Sequence, residues 1–492
     1  MKKIYFILLT VVLILTGCGG KRASQMSELT PEFFSGGITG EITVSAYDSM
    51  AYKSYLEEAA RAFEEQYPGA KVKIETFSAM PEIRTGEQGG NQMILVQMQD
   101  DPQGRTDYIS RINTNIMSGE GADIYAMDIL PIHKFTESGT LENLKPYMSL
   151  DPNFNKAEYR QNILDALNYR NGVWFIPMDY TFNYFAYDAS LVPPQIASGF
   201  GADKTWNTDE LFKLGIPMYN GTYKLFSAYN FSRGPSNSIF KQLLNENIQS
   251  FLNLETSRAD FSGGGFSSLL SSVKHYTEQG YIPGAVTGQQ DAGQMMRITS
   301  EAVTDRFFFK LNSNTSLISQ FLRGTGRIMR VEGGGARNID DNDEIAGIQS
   351  RADGSVPFEY TRGFAVNNQS KNKLTAWAFI KFLLTKEMQL SSTLVNMGLP
   401  VNNEARAEKA ELAFSGALYG RPGEMNDQMR QAMERYKAAV EKLSDNIDCF
   451  TVQDTVINDM ISNEVRYFFT DNRAAGDVAG VIQNKADLYL SE

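Results

Sequence analysis

Residues 41 to 77 read as strand, helix, strand, and this unit constrains the fold more than any other stretch of the chain. Glu41-Ile-Thr-Val-Ser-Ala-Tyr47 alternates apolar and polar side chains, the period of a strand with one buried face. Asp48-Ser49 supplies a helix-capping turn. Tyr52, Tyr55, Leu56, Ala59, Ala60, Phe63 and Tyr67 then recur at three-and-four spacing, which places them on one face of an amphipathic helix. Pro68-Gly69 ends that helix, and Lys71-Val-Lys-Ile-Glu-Thr-Phe77 alternates again. A βαβ unit closes right-handed onto a parallel sheet, so the chain belongs to the α/β class.

The pattern continues beyond this unit. Residues 78–105 are polar and glycine-rich without a clean period and read as an insertion or long loop. Ile109, Ile112 and Ile116 mark a helix over 108–117, and Gly119 to Met127 turns into a short buried strand. Strands are expected at 173–177, 183–187, 224–229 and 360–366. A helix starts in 205–211 with Thr208 at its cap, and another carries Leu374, Trp377, Ile380, Leu384 and Met388 on one face. Helices over 429–443, 452–469 and 478–490 fill the end of the chain, and there is no internal repeat. A folded body of about 450 residues exceeds what one compact core holds, so two or more lobes are expected.

The N-terminus has a separate role. Met1-Lys2-Lys3 is basic, residues 4–15 are almost wholly apolar, and Leu15-Thr16-Gly17-Cys18 follows. This is the layout of a secretion signal, shorter than a bilayer span of ~20 residues. The Leu-Thr-Gly-Cys ending resembles the bacterial lipobox, which implies cleavage after residue 17 and a diacylglycerol on Cys18. Residues 18–40 then form a flexible, lipid-anchored tether. The formal charge of −12 becomes −14 once Lys2 and Lys3 leave, which argues against nucleic acid as a partner and against a second, electrostatic membrane contact. With Cys18 acylated, Cys449 is left without a disulfide partner. Only His133 and His275 are available as imidazoles, too few for a multi-histidine zinc site and a poor basis for a catalytic triad.

Six short signatures stand in order along the chain: Phe63 to Val72 with Tyr67-Pro-Gly69; Ser118-Gly-Glu-Gly-Ala-Asp-Ile124; Ser138-Gly-Thr-Leu-Glu-Asn-Leu144 with Pro146; Tyr169 to Pro177 followed by Tyr184 to Tyr187; Thr205-Trp206; and Ser370-Lys371 with Ala376 to Leu384, after which comes Gly398-Leu-Pro-Val401. Together they resemble the extracellular solute-binding proteins of the maltose-binding type, with Ala122 where that pattern usually has proline. The resemblance implies a periplasmic-binding-protein-like fold: two α/β lobes with mixed or parallel sheets, joined by hinge strands. The lobes would be 41–177 plus 356–400 and 178–355 plus 401–492. It further implies a non-enzymatic, monomeric substrate-binding subunit of an ABC importer, without cofactor or metal. Such a subunit sits on the extracytoplasmic face of the bacterial cell membrane, closes around a small molecule and hands it to membrane permease subunits. A lipoprotein that feeds a sensor receptor and a secreted carbohydrate-active enzyme remain as alternatives.

Ligands on open α/β sheets sit at the carboxyl ends of strands. That rule selects Tyr47 and Asp48, Asp128, Asp179 and Tyr180, and Tyr229 and Asn230; Arg362 joins them from the returning strand near the hinge that the resemblance implies. Flat rings together with carboxylate, amide and guanidinium groups suit a mono- or oligosaccharide. Trp174, Trp206 and Trp377 all lie inside the structural signatures, so stacking would fall to tyrosine and phenylalanine. Asp340 to Glu344 lacks the spacing of an EF-hand loop and reads as a solvated acidic turn. Gly263 to Gly265 and Gly333 to Gly335 lack the Lys-Ser/Thr that follows a phosphate loop, Arg306 to Lys310 reads as core, and Cys449 as a small buried residue.

Overall fold

The computed structural model describes residues 29–48, 52–77, 83–88, 91–96, 102–227, 235–283, 306–322, 342–394, 398–416, 423–452 and 454–491. Ten strands make two five-stranded sheets. They are β1 (Gly40–Tyr47), β2 (Ala70–Phe77), β3 (Ile124–Ala126), β4 (Ile176–Pro177), β5 (Asn183–Asp188), β6 (Thr205–Trp206), β7 (Lys224–Ser227), β8 (Phe307–Ser313), β9 (Asp343–Gln349) and β10 (Gly363–Val366). The first sheet runs β2-β1-β3-β10-β4 and the second β7-β8-β5-β9-β6.

The opening unit folds as its periodicity requires. β1 pairs in parallel with β2 over its whole length and with β3 on its other side. The helix between them, α1 (Tyr52–Gln66), buries Tyr52, Tyr55, Leu56, Ala59, Ala60 and Phe63. β10 returns antiparallel to both β3 and β4, so the sheet is mixed. The second sheet is mixed as well: β7 is parallel to β8 and β9 to β6, while β5 runs antiparallel to both β8 and β9.

Further helices cover these sheets: α2 (Pro102–Ser118), α3 (Ile132–Glu137), α4 (Pro235–Asn247), α5 (Lys373–Leu383), α6 (Asn403–Ser415), α7 (Asp427–Asp445), α8 (Thr455–Asp471) and α9 (Ala475–Ser491). One apolar cluster gathers the first sheet with α1, α2 and α5 and extends through α7 to Tyr184, Ala186 and Ile348 on one face of the second sheet. The opposite face, with Phe185, Tyr187, Phe226 and Phe309, forms a second cluster with α4, α8 and α9. Alternation along β5 thus divides its side chains between two cores, because successive strand residues face opposite ways.

Among the described residues the chain passes between these regions three times, at 178–182, 350–362 and 446–454. The crossing segments are tied to one another. Pro357 and Phe358 pair in parallel with Cys449 and Phe450, Thr181 bridges Glu359, and Asp179 and Tyr180 pair with Pro400 and Leu399.

Several sequence expectations need correction. The helix of 205–211 is capped by Asn207, whose side chain accepts from the Glu210 amide while Glu210 reaches back, a reciprocal capping box. Thr208 is instead the first helical residue, and its hydroxyl donates to the buried Glu246 at 2.7 Å. The insertion at 78–105 contains an antiparallel hairpin, Ile83–Gln88 with Asn91–Val96, and α2 begins six residues earlier than its apolar stripe suggested. Asp343 and Glu344 belong to β9 rather than to a solvated turn: Asp343 pairs with Lys310 at 2.9 Å, and Glu344 accepts from the Tyr187 hydroxyl at 2.8 Å. Only 176–177 of the expected strand at 173–177 pairs. Cys449 is half-buried, and Arg351 Nη1 lies 3.3 Å from its Sγ.

Candidate functional site

The carboxyl ends of β1 and β3, the start of β10 and the first turn of α1 converge at one end of the first sheet. β10 is antiparallel to β3, so Arg362, just before β10, comes beside Asp128, just after β3. Arg362 Nη1 donates to Asp128 Oδ2 at 3.0 Å, and the Gly363 amide donates to Asp128 Oδ1 at 3.3 Å. The guanidinium also lies over the Tyr52 ring, 4.1 Å from its centroid, a cation–π contact that α1 provides by placing its first residue there.

This cluster is electrostatically tense. Burial pushes the Asp128 carboxyl up to about 6, although Arg362 and the Gly363 amide pull the other way. Burial alone would lower the Arg362 pKa; Asp128, Tyr52 and Asp179 outweigh it and hold the guanidinium firmly charged. The Tyr52 phenol is raised well above its ordinary value, first by burial and then by Asp128. Two donors remain unused. Tyr52 Oη and Arg362 Nε are buried, and neither has a hydrogen-bond partner among the described residues. A buried polar group without a partner costs about 1–3 kcal/mol, so such groups call for an acceptor.

The other expected site residues divide by position. Tyr47, 8 % exposed, lies against Phe77 and Tyr108, whose ring centroids are 6.2 and 5.7 Å away. Asp48 Oδ1 accepts from the Lys53 amide at 3.2 Å, close to the capping geometry its sequence position suggests. Asp179 is fully buried and accepts from the amides of Thr361 at 2.8 Å and Arg362 at 3.2 Å, and from the Thr361 hydroxyl. It joins two crossing segments and fixes the backbone that presents Arg362. Tyr180 is also fully buried, beside Phe182, with its hydroxyl 3.4 Å from Ser444 Oγ, so it packs between segments instead of standing open at a strand tip. Tyr229, Asn230 and Cys18 lie outside the described residues.

All three indoles serve the fold. Trp377 Nε1 donates to Asp151 at 2.7 Å, Trp174 Nε1 to the Tyr169 carbonyl at 2.7 Å, and Trp206 Nε1 to the Ala346 carbonyl at 3.1 Å. The sequence pattern alone does not mark Tyr52 or Asp459 as site residues. Tyr52 reads there as one more residue of an apolar stripe; the signal that finds it is a tyrosine at the first helical turn after a strand end. Asp459, on α8, faces Arg105 of α2 at 2.7 Å. Among the described residues no group of three His, Cys, Asp or Glu side chains is placed to hold a metal ion, and no helix is long and apolar enough to cross a membrane.

Two mixed sheets joined by three crossing segments, with a polar cluster at strand ends beside the crossings, define a protein of the periplasmic-binding-protein-like fold. Solved structures share it. The extracellular solute-binding protein family 1 structure from Alicyclobacillus acidocaldarius matches with a TM-score of 0.54 at 14 % identity, over 92 % of this chain and 99 % of that one. The sugar-binding protein MalE from the phytopathogen Xanthomonas citri matches with a TM-score of 0.54 at 13 % identity, over 92 % and 98 %. An ABC substrate-binding protein from Listeria monocytogenes in complex with cycloalternan matches with a TM-score of 0.50 at 13 % identity, over 92 % and 99 %. At such identities the likeness is one of fold. No curated protein matches the chain in sequence. The family model described as bacterial extracellular solute-binding protein matches residues 58–418, well over half of the 492 residues. The chain belongs to that family, whose members bind solutes rather than convert them.

Proposed function

We propose that this protein captures a carbohydrate outside the cell and delivers it to the permease of an ABC importer, held at the membrane by a lipid on Cys18. The lobes would part near the expected boundaries at 177/178 and 355/356, with the last change of side at 446–454 instead of after 400, and would close on the sugar between them. The observation that carries the reading is the Asp128–Arg362–Tyr52 cluster. It offers a carboxylate acceptor and two unused donors, Tyr52 Oη and Arg362 Nε, at the carboxyl end of a sheet beside the crossing segments. A sugar hydroxyl both donates and accepts, so it suits a carboxylate and an N–H or O–H donor alike. Tyr47 and Asp48 lie at the same sheet end and Tyr229 and Asn230 follow β7; they complete the proposed contacts, with Asp179 holding Arg362 in place. The cycloalternan complex of the Listeria neighbour and the sugar-binding description of the Xanthomonas neighbour are in keeping with this ligand class.

The test is a thermal-shift screen of mono- and oligosaccharides on the protein without its leader, followed by calorimetry. A ligand at a hundred times its Kd stabilises by about 2.7 kcal/mol, a readily measured shift. Arg362→Met should then weaken the sugar found by roughly 1.5–3 kcal/mol, the range for a hydrogen bond to a charged group. Stabilisation by amino acids, peptides or polyamines and by no sugar would withdraw the carbohydrate class. Turnover of an oligosaccharide would withdraw the pure binder.

A further inference from the structure

At the same end of the first sheet, a second set of polar contacts joins the two apolar clusters without belonging to the crossing segments. α2 buries Tyr108 and Ile112 in the first cluster, while α8 buries Ile457, Ile461 and Val465 in the second. Arg105 of α2 and Asp459 of α8 meet between them, Nη2 to Oδ2 at 2.7 Å, with side chains 15 % and 29 % exposed. Tyr108, one turn on from Arg105, packs against Tyr47 at the end of β1, which brings the first turns of α2 to the carboxyl end of that strand. Two other contacts cross between the same two regions: Lys134 Nζ donates to the Tyr489 carbonyl at 2.5 Å, and Arg170 Nη2 to the Leu254 carbonyl at 3.0 Å.

We infer that Arg105 and Asp459 form a latch that holds the two lobes together at the mouth of the binding cleft, and that its strength sets how much of the ligand-free protein is closed. This rests on the two-lobe reading above. Asp454 caps α8 directly after the third crossing segment and would stay near its neighbours through any hinge motion. Asp459 lies five residues further along, about 7.5 Å at 1.5 Å per residue, and its partner is on a different lobe and outside the crossings. An ion pair so placed parts when the lobes open. Both partners are side chains of the chain itself, so the pair shifts the open–closed equilibrium independently of ligand contacts, and the apparent affinity for any ligand follows the closed fraction. Arg105 and Asp459 are positioning residues here, acting on the ligand only through closure.

The test needs no ligand. Small-angle scattering is measured on the wild type, Arg105→Glu, Asp459→Arg and the double exchange, with Arg105→Gln and Asp459→Asn as substitutes should a reversal fail to fold. Each single reversal should enlarge the radius of gyration, and the double exchange should restore it. Salt at about 1 M, where the Debye length is ~3 Å, should expand the wild type toward the single variants. A panel sugar should bind either single reversal roughly 2- to 10-fold more weakly, the scale of a partly exposed ion pair. Singles as compact as wild type, or a double exchange that stays open, would overturn the latch. A sugar that still stabilises those compact singles would leave capture standing. Expansion on reversal, with no sugar bound by any variant, would support the latch and remove the carbohydrate reading alone.

Discussion

Replacing Asp128 by asparagine should make the protein more stable at neutral pH, although the substitution removes half of an ion pair. The Asp128 carboxyl is held at about 6 against an ordinary value of 3.8, with its side chain only 11 % exposed. Burial therefore outweighs the attraction of Arg362. A shift of about two pKa units corresponds to about 3 kcal/mol. The sign follows from proton counting. Between pH 3.8 and about 6 the folded state holds a proton on Asp128 that the unfolded state has released, so this group adds stability as the pH falls through that window and withdraws it as the pH rises. Asparagine resembles the protonated carboxyl at every pH. Urea unfolding of wild type and Asp128→Asn from about pH 4 to about pH 7.5 should give curves that lie close together in acid and diverge toward neutrality, with the variant ahead by up to about 3 kcal/mol. Glu246, pushed up to about 7 by burial, titrates alike in both proteins and cancels in the difference. Curves that run parallel across the range, or a variant that is weaker at neutral pH, would refute the claim that burial dominates the pair. A site that sacrifices stability to keep a charge is expected where that charge serves binding.

Other expectations follow from single contacts. Asp179→Ala strands the amides of Thr361 and Arg362 in a buried place and should cost about 2–4 kcal/mol in urea unfolding, with loss of ligand binding because Arg362 is no longer held. Trp377→Phe keeps the ring in its pocket but removes the bond to Asp151, which also accepts from Lys381 at 2.6 Å; a loss of about 1.5–3 kcal/mol in the same assay is expected. Asn207→Ala breaks the capping box and should lower stability by about 1 kcal/mol, while Asn207→Ser should recover most of it. Cys18→Ser, if the lipid is the anchor, should move the protein from the membrane fraction to the soluble fraction of its host.

The strands and helices whose buried faces repeat cleanly were legible in advance. α1 buries six of the seven stripe residues fully, and β1 and β2 pair along the segments where their alternation predicts them. Periodicity works there because each element must bury one face against one sheet. It failed where a polar residue had two possible partners. Thr208 and Asn207 both suit a helix cap, and only the approach of Glu246 from α4 decides that Thr208 bonds across to it. The acidic run ending at Glu344 looks solvated in sequence because its partners, Lys310 on β8 and Tyr187 on β5, lie on other strands of the sheet more than thirty residues away.

Of the expected site, Asp128 and Arg362 come together because Asp128 follows β3 and Arg362 precedes its antiparallel partner β10, whereas Tyr180, chosen like Asp128 by the carboxyl-end rule, is sealed between crossing segments. The linear string alone points to the class of fold and to a short list of polar residues at strand tips. Those depend on local period, composition and the carboxyl-end rule, all of which a linear string carries. Tertiary packing settles which of those residues pair, puts Tyr52 beneath Arg362, and brings Arg105 to Asp459 across 354 positions of chain. Burial and Coulomb attraction act over a few ångströms of space, and the order of residues does not specify which distant segments come that close.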